Sequence, residues 1–104
     1  MTVNYQLIAI QIGDLLKWDT SVNEIDRIAR AIFNFDASRF PNDSITSVRA
    51  QRIYDWIMTL AAKKMNNDQR HMLLVRFCKE LAGDKYADQV VKILEKNGLP
   101  YNSL

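Results

Sequence analysis

The chain has 104 residues, 48% of them hydrophobic and 25% charged, the balance of one folded domain and not of a disordered or low-complexity chain. Its 14 Lys and Arg against 12 Asp and Glu leave +2, too little to imply nucleic acid or an anionic membrane by itself. One cysteine excludes an internal disulfide framework and a cysteine-based zinc site, and a domain of this length has room for one core but not for a core and a deep substrate cleft.

The opening residues lack the basic region and long apolar run of a signal peptide. No stretch approaches the roughly 18 apolar residues of a membrane span, so the expected location is cytoplasmic. Residues 4–16 carry Ile8, Ile12, Leu15 and Leu16 at helical spacing, a stripe extended by Tyr5, and Trp18 follows the stripe without belonging to it. Ser21 and Glu24 have capping-box spacing, with the serine taking an amide of the first turn and the glutamate reaching back. They open a second helix with Ile25, Ile28, Ala29, Ile32 and Phe33 inward and Asp26, Arg27 and Arg30 outward.

Residues 34–44 mix turn formers with Phe35 and Phe40, which predict a short helical turn anchored to the core and ended before Pro41. A long helix is expected from about residue 45 to 64, burying Ile45, Val48, Ile53, Trp56, Ile57 and Leu60. Asn67 or Asp68 is the expected cap of the next helix, which buries Met72, Leu73, Val75, Phe77 and Leu81 and stops at Gly83. Asp84 is expected to cap a last helix with Tyr86, Val90, Ile93 and Leu94 inward, ended by Asn97 and Gly98. The predicted fold is all-α, a compact antiparallel bundle of five to six helices over residues 1–98, with 99–104 as a tail or the start of a linker.

Chemistry finds little footing in this pattern. The one histidine, His71, and the one cysteine, Cys78, lie seven residues apart on one predicted helix, roughly 10 Å along its axis, beyond the reach of a nucleophile and its base. Cys78 reads as a small buried apolar residue and His71 as a partly exposed residue near a helix start. No His-x-x-x-His, no Cys-x-x-Cys and no acidic calcium loop occurs, and Gly13, Gly83 and Gly98 are too scattered to cradle a phosphate. No enzymatic activity, cofactor or metal is expected.

Charge placement is more informative. Residues 49–79 hold Arg49, Arg52, Lys63, Lys64, Arg70, Arg76 and Lys79 against Asp55 and Asp68, a local charge of +5 between acidic flanks of −2 and −1. Such a basic middle suits docking onto an acidic face, because opposite potentials steer encounter and fix register. Arg49, Arg52, Lys63 and Lys64 on one side and Asp14 and Asp19 on the other are the candidate interface charges, with Trp18 as a candidate aromatic anchor. The same basic region leaves open a small helical nucleic-acid binder or an antitoxin-like regulatory protein, although no helix combines it with a base-reading run.

The segment from Ser38 to Ile53, SRFPNDSITSVRAQRI, followed by Trp56-Ile57 and later Leu73-Leu74, resembles the middle of the bacterial effector-associated domains, small death-domain-like helical bundles. The upstream Ile25, Ile28, Ala29 helix and the aromatic-rich stretch from Phe33 to Phe40 are similar as well. The resemblance implies a six-helix antiparallel bundle that binds another death-like domain, of its own or of an effector or sensor protein, with homo-oligomers as one outcome. It implies an adaptor in bacterial immunity and antiviral defence whose chemistry belongs to a tethered protease, TIR domain or ATPase, activated by clustering. Neither a membrane nor a nucleic-acid partner is expected from it.

Overall fold

Five α-helices and a final short turn follow one another in a computed structural model that describes residues 2–104. They are α1 (Tyr5–Leu16), α2 (Val22–Ile32), α3 (Val48–Ala62), α4 (Asn67–Ala82) and α5 (Ala87–Lys96), with a 3₁₀ turn at Tyr101–Ser103. No strand occurs among the described residues, and none of their helices is long and apolar enough to cross a membrane. The all-α reading stands.

Four helices start on a side chain that accepts an otherwise orphaned amide of the first turn: Asn4 for Leu7, Ser21 for Glu24, Ser47 for Ala50, and Asn66 for Asp68 and Gln69. The cap of α4 is therefore Asn66, one residue before the expected Asn67 or Asp68. Only half of the capping box at Ser21 forms, because Glu24 turns outward to Arg27. Asp84 does not cap α5 with its side chain, and that helix opens at Tyr86 with no side-chain cap. α3 begins at Val48, not at Ile45, since Ser47 provides the cap.

Ile8, Ile12 and Leu16 of α1 meet Ile53, Trp56, Ile57 and Leu60 of α3 in the interior, with Leu74 and Phe77 of α4 and Val90 and Leu94 of α5 closing it. Phe33 sits between Trp56 and Phe77, ring centroids 5.8 and 5.4 Å away. α1 and α3 run in opposite directions: Gln6 bonds Tyr54, Gly13 faces Ala50, and the Lys17 carbonyl meets Arg49. A Cβ on Gly13 would stand 3.2 Å from the Ala50 carbonyl oxygen, so this crossing depends on the missing side chain.

The linker between α2 and α3 departs from expectation. Residues 34–44 form no helix; apart from a turn that the Ile45 amide closes on the Asn42 carbonyl, they run irregularly along α3. Gln51, Asp55 and Thr59, at i, i+4 and i+8, make a polar row on α3 that takes the place of a backbone partner. Asp55 accepts the Phe40 amide at 3.0 Å, Thr59 accepts the Ser38 amide at 2.9 Å, and Gln51 donates to the Phe40 carbonyl at 2.9 Å. Asp55 and Thr59 are buried, which requires such partners. The linker's own amides thus find side-chain acceptors, and a helical turn has nothing to gain there. At the C-terminus Leu99 is buried, the 3₁₀ turn packs against α4, and Lys79 donates to the Leu104 carbonyl at 2.6 Å.

Candidate interaction surface

Helix α1 ends at Leu16, where the Lys17 and Asp19 amides close the last turn on the Gly13 and Leu16 carbonyls. This turn lifts Trp18 clear of the bundle, and its side chain is 76% exposed. Beside it Val48, the first residue of α3, is 74% exposed and not buried as its apolar character predicts. Val48 lies two residues from the buried Ala50, about 200° round the helix, which puts it on the far side from the core. The signal was present in the sequence: Ser47 caps the helix, and counting from Ile53 and Ala50 leaves Val48 off the stripe.

Arg49 joins the two. Its guanidinium donates to the Lys17 carbonyl at 3.4 Å and has no carboxylate partner among the described residues. Lys17 sits 5.5 Å from the Trp18 ring centre and 3.4 Å from Asp14. Lys17, Trp18, Thr46, Ser47, Val48 and Arg49 line an open groove of about 400 Å³. It continues through Thr46, Ser47 and Val48 into a larger one of about 590 Å³, walled by Arg39, Pro41 and Ile45. Asp19, next to Trp18, faces the other way: it accepts the Tyr86 hydroxyl and lies 3.6 Å from Lys85. The Tyr86 hydrogen bond, with help from Lys85, holds its carboxyl below the usual range.

The remaining candidate charges stand apart from Trp18: Arg52 lines only the larger groove, and Lys63 and Lys64 line neither. Arg52 reads from sequence as a surface charge, but its Nε donates to Asp26 at 2.6 Å, with side chains only 24% and 15% exposed. The same Asp26 oxygen accepts the indole N–H of the fully buried Trp56 at 2.9 Å. Asp26 is therefore a structural group and not a solvated one. Burial pushes its carboxyl up, yet the hydrogen bonds from Arg52 and Trp56 and the Arg52 charge outweigh that and leave it lowered. Lys63 and Lys64 follow the opposite end of α3, roughly 20 Å from Arg49, and Lys63 lies over the Phe35 ring at 4.7 Å. The basic middle of the sequence is thus spread over separate parts of the surface.

The reactive residue types are held inside. His71, expected to be partly exposed, is buried, its Nε2 3.0 Å from the Tyr5 hydroxyl, and burial lowers its pKa. Cys78 is buried as expected, and that burial pushes its thiol up to about 12, far from a reactive thiolate. Met72, expected inside, is exposed, again two residues from a buried position, Leu74. Among the described residues no group of three His, Cys, Asp or Glu side chains is placed to hold a metal ion. Compared with known proteins, the chain matches no family model, no curated protein and no solved structure.

Proposed function

We propose that this chain is a non-catalytic adaptor module of the death-like, effector-associated kind, which associates with domains of its own class and thereby clusters effectors in a bacterial immune system. One observation carries the reading: Trp18 and Val48 project together beside an arginine that lacks a carboxylate partner. Exposing two adjacent large apolar groups costs hydration free energy in the isolated domain, and covering them on association recovers it. Tryptophan and arginine are also the side chains that most often dominate binding energy at a protein interface. The all-helical fold and the resemblance of residues 38–53 to the effector-associated domains support this reading, although the chain has five α-helices where the resemblance implies six. A nucleic-acid role is less well supported, because Arg49, Arg52 and Lys63 do not form one stripe that a phosphate backbone could follow.

The test is sedimentation of the purified chain over a range of concentrations, at low and high salt. Self-association that weakens with salt and with Arg49→Glu, at an unchanged helical circular dichroism spectrum, supports the reading. A chain that stays monomeric throughout and binds no death-like domain refutes it. Arg52→Glu is unsuitable as an interface probe, since it sets a second carboxylate against Asp26.

A further inference from the structure

The Trp18 corner has a counterpart on the same molecule. Where α4 gives way to α5, Gly83 turns the chain with φ +62° and open space around the position of a Cβ. An open groove of about 460 Å³ lies there, lined by Ala87 and Val91 among Glu80, Asp84 and Asp88. Among the described residues none of these three carboxylates is in an ion pair, and Lys79, which also lines the groove, donates to the Leu104 carbonyl. Three carboxylates against the one ammonium of Lys79 leave the groove net negative around an apolar floor, with Asp84 and Asp88 as its free charges. The corner offers apolar groups with an unpartnered positive charge. No residue lines both.

Resting on the adaptor reading above, we infer that the occupant of each surface is a second copy of this chain: Trp18 and Val48 of one copy seat over Ala87 and Val91 of the next, with Arg49 facing Asp84 and Asp88. The match is between two different surfaces, so after the first contact one copy still has a free corner and the other a free groove. Such a heterologous contact propagates into chains, or into rings where the rotation closes, and does not stop at a dimer. A two-fold pairing of the Trp18 corner with itself would set Arg49 near its own equivalent, like charge toward like.

The experiment uses three full-length proteins in sedimentation velocity at low salt: the unaltered chain, Trp18→Ala, and Asp84→Lys with Asp88→Asn. All three sites are exposed, and circular dichroism checks that each variant keeps its helices. The unaltered chain is expected to grow through successive species with concentration. Each variant alone should need roughly thirtyfold higher concentration to associate, the scale of one lost hot spot. Mixed together, the variants have one intact knob and one intact groove between them, and are expected to form a 1:1 pair that grows no further. Association of the unaltered chain with no pair from the mixture overturns this docking geometry and leaves the adaptor reading standing. The same holds if the unaltered chain stops at a dimer, or if either variant associates as before. A monomer at every concentration removes the self-docking proposal altogether, and binding to a different death-like domain then decides the broader reading.

Discussion

The molecule contains two tryptophan–arginine neighbourhoods, and they are built to opposite ends. At the junction of α2 and α3, Trp56 is fully buried, its N–H is accepted by Asp26, and Asp26 is in turn held by Arg52, whose guanidinium lies 5.6 Å from the Trp56 ring. At the end of α1, Trp18 stands in solvent and Arg49 rests on a backbone carbonyl with no opposite charge. Arg49 and Arg52 are one helical turn apart on the same helix. The carboxylate separates them. Where Asp26 supplies it, the pair is finished and belongs to the fold; at Arg49 none of the described residues supplies it.

Truncating the two tryptophans draws the contrast most widely. Trp56→Ala opens a large cavity and leaves Asp26 with one donor fewer, and should cost about 4 kcal/mol of unfolding free energy in urea titration. Trp18→Ala should stay within about 0.5 kcal/mol of the unaltered chain, because its side chain contributes little to the core. A comparable loss in both would mean that Trp18 is structural. Next in size is Asp26→Ala, which strands the indole N–H and the half-buried guanidinium together and should cost about 3 kcal/mol. Reversing the arginines sharpens the comparison further. Arg52→Glu should lose about 2 kcal/mol through repulsion by Asp26, whereas Arg49→Glu should change stability by under about 0.5 kcal/mol and show its effect in association instead.

How far this division could be read from the sequence depends on the range of the interactions involved. Helix positions follow from short-range periodicity and caps, and the stripes of α1 and α2 and the stop at Gly83 are legible for that reason. The course of the linker is not legible because its partners are not local: Ser38 and Phe40 are held by Thr59 and Asp55, 21 and 15 residues away. Even so, Gln51, Asp55 and Thr59 announce a polar row on an otherwise buried face, and such a row needs an occupant. Arg49 and Arg52 are indistinguishable as letters, and only the packing of α2 on α3 shows which of them Asp26 reaches. Trp18 was legible as an outlier because it falls beyond its helix. Val48 and Met72 are legible only by angular position, each two residues from a buried one, since their apolar character alone points inward.

The interior and the surface corner should also differ in their response to acid. His71 is buried against Tyr5, and burial is the main cause of its lowered pKa, with the Arg70 charge adding to it and Asp68 opposing. The folded state therefore binds a proton at His71 less readily than the unfolded chain does. The stability this represents is complete above the ordinary histidine value of 6.5 and is lost as the pH falls from there through the lowered folded value. Asp26, also lowered, contributes stability that is present above the ordinary 3.8 and is lost as the pH falls from there through its own lowered value. Urea midpoints between pH 7.5 and 4.5 should thus show a shallow decline in the unaltered chain, and a flatter one in His71→Gln, whose amide stays neutral across the range. This is the smallest of the expected effects. Equal slopes in both proteins would assign the decline to carboxylates elsewhere. Association that weakened in step with His71 protonation would show that the corner draws on the α1–α4 packing, and would erase the separation between the two neighbourhoods.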